Sequence, residues 1–177
     1  LGAEPRRPLP PMAAPGETVP RRGGGRGGRM DEMAARFGVE GSWAVARRHV
    51  VRWAECDALG HMNNAAYLVL CEDMRVGPGW SALGGRFAPD AVSPVVARVE
   101  ARYLRALNFE DEVLVTLRFA SVRRTSFVHD YAIWKAGLCF ESRAVLVAMR
   151  QDTGEKAPVP AAIRAAMVAQ GAVEEGG

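Results

Sequence analysis

Two carboxylates, a thiol, an imidazole and two amides crowd into Glu55-Cys56-Asp57-Ala58-Leu59-Gly60-His61-Met62-Asn63-Asn64. The segment joins the end of a strand-like run to the start of a long apolar helix. Such a junction is a ready anion site, because the unpaired amides of a first helical turn and the helix dipole favour negative charge. It is also where an oxyanion developing from a carbonyl can be held. Asp57, on the loop seven residues ahead of Asn64, can lie beside the same spot. Its carboxylate would attack a carbonyl directly or activate a water, while the Asn64 backbone amide polarises the carbonyl oxygen. An Asp in a loop before a helix serves equally as a turn former or cap, so the residues alone leave both readings open.

The neighbouring side chains divide in the same way. His61 would orient Asp57 or its loop, or bond nearby backbone. Gly60 fits a backbone position where a side chain would obstruct the turn. Asn63 and Asn64 favour a helix start, since their side chains accept a bond from first-turn amides. Tyr67 and Glu72 read as packing and a buried polar tether, and Ser126 as a strand-start serine able to line a pocket. His49, His61 and His129 show no metal-ligand spacing, so no metal site is expected. A G-x-S-x-G elbow and a phosphate loop are both missing, which argues against a serine hydrolase or nucleotide enzyme.

The elements that must position these residues follow from periodicity. Ala44 to Glu55 alternates as a strand. Ala65 to Val76 is a helix apolar on most sides, polar only at Glu72, Asp73 and Arg75, and such a helix is wrapped by other elements. Gly77-Pro78-Gly79 is expected to break it, with one further turn from Trp80 to Leu83. Four alternating segments follow: Pro94 to Leu107, Asp111 to Val122, Ser126 to Lys135 and Leu138 to Arg150. An amphipathic helix from Pro160 to Gln170 closes the chain. An antiparallel meander must cover one apolar face, and the 65–76 helix is the long apolar element available. The expected class is α+β, a curled antiparallel sheet wrapped around a central apolar helix.

Bulk composition, 49% hydrophobic and 24% charged over 177 residues, suits one globular domain. The start differs. Residues 1–29 are Pro-, Gly- and Arg-rich with little large apolar surface, so 1–40 is expected to be a disordered leader and 41–172 the folded domain. That leader stretch to Arg29 holds six of the 23 Lys and Arg but only two of the 20 acids, leaving 17 bases against 18 acids. The basic pI therefore belongs to the leader, and nucleic acid is not an expected partner. Cys56, Cys71 and Cys139 are odd in number and lack C-x-x-C spacing, as expected of reduced, buried thiols in the cytoplasm. Neither a membrane span nor a secretory signal is expected. The Arg-rich leader leaves organelle targeting as an alternative, although no Ser precedes Ser42. Met12 and Met30 are candidate true starts.

Trp53 to Tyr67, followed by Glu72, resembles the D-x-x-G-H-x-N-N-x-x-Y signature of the 4-hydroxybenzoyl-CoA thioesterase-like branch of the hotdog superfamily. The likeness spans Val45 to Pro160 in element order and includes Tyr103-Leu104-Arg105-Ala106-Leu107 and Arg123-Arg124-Thr125-Ser126-Phe127. The resemblance implies a hotdog fold and an acyl-CoA thioesterase. Asp57 matches the family's catalytic carboxylate, as nucleophile or general base, and Asn64 the residue whose amide binds the thioester oxygen. It implies His61 as a supporting residue and Gly60, Asn63, Tyr67 and Ser126 as candidate substrate contacts. Glu72 is a reserve catalyst, because another hotdog branch carries its carboxylate on the helix. Also implied are a homodimer or dimer of dimers with sites at the subunit interface, and coenzyme A as part of the substrate, with no separate cofactor. Arg102, Arg105, Arg123 and Arg124 are the candidates for its phosphates. The rival readings are an acyl-carrier-protein thioesterase and a non-catalytic acyl-CoA-binding protein.

Overall fold

The computed structural model describes residues 27–84 and 92–176. The chain order is α1 (Gly27–Phe37), β1 (Val45–Val50), a 3-10 turn (Trp53–Glu55), α2 (Asn64–Met74), a π turn (Arg75–Gly79), α3 (Trp80–Ala82), β2 (Val92–Tyr103), β3 (Glu112–Val122), β4 (Ser126–Trp134), β5 (Leu138–Arg150), α4 (Ala161–Ala169) and β6 (Val173–Glu174). The strands pair antiparallel in the order β1-β3-β4-β5-β2, and β6 adds a short parallel pairing to the end of β3.

Period-two alternation fixes which side of the sheet meets the helix. Val113, Val115, Leu117 and Phe119 of β3 are buried together, as are Phe127, His129, Tyr131 and Ile133 of β4. The apolar members of both sets pack with Tyr67, Leu70, Cys71 and Met74 of α2 in one core. Each large apolar side chain taken from water there contributes about 1.5–3 kcal/mol.

Helix α2 does not stop at Gly77-Pro78-Gly79. A π turn carries the chain through, with the Trp80 amide donating to the Arg75 carbonyl, and α3 continues it. A π turn skips one step of the hydrogen-bond ladder, which accommodates a proline that has no N–H to donate. Gly79 allows the close approach: a Cβ there would lie 2.9 Å from the Met74 carbonyl oxygen. Nor is the helix covered on all sides. Leu68, Val69 and Val76 are exposed, as are Val95, Val96 and Val99 on the edge strand β2.

Residues 1–26 lie outside the described residues, but α1 is a helix whose end packs on the outer side of the sheet. Phe37 joins Leu114, Ala132 and Trp134, with Met33, Val39 and Trp43 against them. Hydrophobic side chains spaced along residues 33–43 supply the surface that the Gly/Arg stretch lacks. This explains why β3 and β4 bury both faces at that end.

Candidate active site

The loop that carries Asp57 is pinned at both ends before any chemistry enters. The Val51 amide donates to the Asp111 carbonyl and the Glu110 amide to that of Val51, each at 2.9 Å. The 3-10 turn then brings Glu55 under the loop, where it is 8% exposed. Its carboxylate accepts from the Arg52 amide at 2.8 Å and from Arg52 Nε and Nη2 at 3.0 and 2.6 Å. His49 Nε2 lies 2.8 Å from the same carboxylate, which can only accept, so Nε2 carries the proton. Burial alone would raise this carboxyl, but the Arg52 guanidinium, the Arg52 amide and the His49 ring outweigh it and hold it below the ordinary carboxylate range.

From that anchor the chain makes a small closed loop. The Asp57 amide donates to the His61 carbonyl at 2.8 Å and the Gly60 amide to the Asp57 carbonyl at 3.0 Å. Asp57 Oδ1 accepts the Leu59 amide at 2.9 Å, forming an Asx turn. Its other oxygen has no protein partner among the described residues, and the residue is half-buried. Gly60 sits at φ +80, and a Cβ there would meet nothing within 4 Å. The glycine is therefore required by backbone conformation, and the expected steric obstruction is not the reason. The Met62 amide donates to the Leu107 carbonyl at 2.7 Å and that of Asn63 to the Glu55 carbonyl at 2.8 Å, which aligns the helix entry.

Asn63 is the N-cap, its Oδ1 accepting the Ala65 amide at 2.9 Å. Asn64 is the first helical residue, and its amide has no partner among the described residues. The Tyr103 hydroxyl donates to the Asn64 carbonyl at 3.0 Å, holding that first peptide from outside the helix. The Tyr67 hydroxyl accepts the Leu107 amide at 3.2 Å, and its ring packs on Tyr103 and Phe140. Together Asp57, His61, Asn64, Tyr67, Tyr103 and Arg105 line an open cleft of about 330 Å³. Asp57, with one carboxylate oxygen free of protein partners among the described residues, and Asn64, with an unpaired helical amide, thus line one cleft; attack on a carbonyl and stabilisation of its oxyanion require such a pair.

Other expected positions fall elsewhere. Ser126 begins β4, whose far end at Trp134 pairs with Leu138, so within one chain it does not line this cleft. Glu72 is not a buried tether: its side chain is 61% exposed and lies 3.5 Å from Arg75. A helix rises 1.5 Å per residue, which sets Glu72 about 12 Å along the axis from Asn64. Among the four arginines, Arg102 is paired with Glu141 and Arg123 with Glu175, while Arg124 does not line the cleft. Arg105 does, but its guanidinium donates to the carbonyls of Leu138, Lys135 and Ala136. The Glu55–His49–Arg52 anchor and the Tyr103 bond to Asn64 are not visible as roles in the sequence. The Arg52/Glu55 spacing of three, a capping-box offset, is the signal that marks the first.

An antiparallel sheet curled over one long helix, with the cleft at the helix N-terminus, is the hotdog arrangement of the α+β class. Residues 51–167 match the family described as the thioesterase-like superfamily, and the chain belongs to it. A thioesterase-superfamily structure from Jannaschia sp. CCS1 is similar at 29% identity and TM-score 0.72, over 81% of this chain and 94% of that one. A thioesterase from Thermus thermophilus, complexed with coenzyme A and Zn, is 32% identical, TM-score 0.60, over 71% of this chain and 98% of its own. A 1,4-dihydroxy-2-naphthoyl-CoA thioesterase from Synechocystis shares the fold at 18% identity, TM-score 0.63, over 70% and 94%. No curated protein matches the chain. Among the described residues no helix is long and apolar enough to cross a membrane.

Proposed function

We propose that this protein hydrolyses acyl-CoA thioesters to the free acid and CoA, with Asp57 as the catalytic carboxylate and the Asn64 amide as the oxyanion donor. The observation that carries the reading is the meeting of the two groups in one cleft at the start of α2. A thioester carbonyl seated there would point its oxygen at the Asn64 amide. Acting as base, Asp57 takes a proton from water as the water oxygen bonds to the carbonyl carbon. Acting as nucleophile, it forms an anhydride that water then cleaves. In both routes the C–S bond breaks as the tetrahedral oxyanion collapses, and the thiolate leaves. One oxyanion-hole donor supplies a factor of about 10²–10³ in kcat. His61 and Arg105 line the rim, where CoA would enter. The Thermus relative, which binds coenzyme A, supports that substrate class.

The active form is proposed to be a homodimer or dimer of dimers. Edge strand β2 exposes Val96 and Val99 on the side that faces α2, and the adjoining face of α2 exposes Leu68 and Val69, an apolar seam that a second copy would roof over. A cytoplasmic setting fits the three free cysteines, of which Cys71 is pushed up to about 12 by burial and is inert. The test is thiol release from a panel of aromatic, short-chain and long-chain acyl-CoAs, with mass measured by light scattering. Release from at least one acyl-CoA by a dimer or tetramer is expected. Binding without release, or release only from acyl carrier protein, overturns the reading.

A further inference from the structure

A second groove of about 160 Å³ lies further along the seam between α2 and β2. Its helix wall is Leu68, Cys71, Glu72 and Arg75, spaced as one helical face one turn beyond Asn64 and Tyr67. Its strand wall is Val96 and Val99, on the same strand as Tyr103 in the cleft. Residues 64 and 75 are about 16 Å apart along a helix axis, and helical side chains lean back towards the N-terminus. An extended acyl chain laid from Asn64 along this seam, past Tyr103, would meet the Arg75 side chain as it leans back towards the N-terminus.

Arg75 is poorly satisfied where it lies. Its side chain is 12% exposed, and its guanidinium has only two long contacts among the described residues: Tyr131 Oη at 3.5 Å and the exposed Glu72 at 3.5 Å. Apart from the exposed Glu72, the side chains that line the groove with it are uncharged. Tyr131 is buried and its phenol is pushed up by burial, and His129 behind it is driven down to about 3 by burial, then by Arg75, and stays neutral. Asp130 is engaged by Arg118 and Arg143. Ser142, 1% exposed, adds a buried hydroxyl to the same groove. A guanidinium held in an apolar groove with donors to spare suits a bidentate carboxylate.

We propose that Arg75, with Tyr131 and Ser142, recognises a carboxylate at the far end of the acyl group, so that the preferred substrates are CoA half-thioesters of dicarboxylic acids. The inference rests on the thioesterase reading and deepens it. The Glu72 side chain, at the exposed mouth, swings into solvent to yield its contact.

The test compares kcat/KM for suberyl-CoA and octanoyl-CoA, with adipyl/hexanoyl and sebacyl/decanoyl pairs alongside. A preference for a carboxylate end of about tenfold or more is expected, the factor a charge-assisted hydrogen bond supplies. Arg75→Gln should bring the ratio close to one through KM, Arg75→Lys should retain part of it, and Glu72→Gln should raise it. Octanoyl-CoA turnover with a wild-type ratio at or below one overturns this inference and leaves the thioesterase reading standing. That comparison needs no variant to fold. No release from any member of the panel overturns the thioesterase reading itself.

Discussion

Removing the Glu55 carboxylate should loosen the Asp57 loop from below without touching the cleft. In Glu55→Ala the Arg52 amide loses its acceptor, a loss of about 1 kcal/mol for an uncapped turn. The His49 ring, 16% exposed, loses a charge-assisted bond that contributes about 1.5–3 kcal/mol when buried. The Arg52 guanidinium, 69% exposed, adds at most about 0–1 kcal/mol because water screens it. Coupled bonds do not add fully, so a loss of about 2–3 kcal/mol is expected, or about 5–10 °C in Tm for a domain of this size. The pH dependence has a definite sign. The folded carboxyl is held below its ordinary 4.5, so its contribution is complete above 4.5 and is lost as pH falls through the depressed value. Urea melts of both proteins at neutral pH and in acid would show it. A loss under about 0.5 kcal/mol at neutral pH, or a difference that grows in acid, would refute the anchor.

Substitutions at three positions probe the frame around it by thermal or urea melts. Asn63→Ala removes the α2 N-cap bond and should cost about 1 kcal/mol, whereas Asn63→Asp should retain most of it. Gly60→Ala places a Cβ in open space but at φ +80, so about 1 kcal/mol of backbone strain is expected and no clash. Gly79→Ala forces a Cβ against the Met74 carbonyl oxygen and should cost about 1–3 kcal/mol, more than Gly60→Ala.

Much of this arrangement is legible in the chain because local pattern and global fold agree. Val113/Val115/Leu117/Phe119 alternate as a sheet face must, and β5 runs from Leu138 to Arg150 as its turn residues indicate. Asn63, a helix-start residue by type, is the N-cap. What escapes the sequence depends on contacts distant along the chain or on backbone geometry that composition does not encode. The π turn through Pro78 needs Gly79 against Met74, a fit that a breaker rule misses. Helix α1 owes its seat to Phe37 meeting Leu114 and Trp134, long-range partners invisible from a Gly/Arg-rich start. The grouping of Asp57, Asn64 and Tyr67 follows from the motif, but Tyr103 joins them through strand β2, which runs some forty residues later. Ser126 falls away from the cleft because position in a motif does not say which end of a strand faces it.

The Asp57 carboxylate is proposed to perform the chemistry. The direct measurement is thiol release from the acyl-CoA that wild type hydrolyses best, set against Asp57→Ala with its melt and oligomeric mass checked. A collapse of turnover in a variant that keeps both is predicted. An equally active Asp57→Ala protein would contradict that role for the carboxylate.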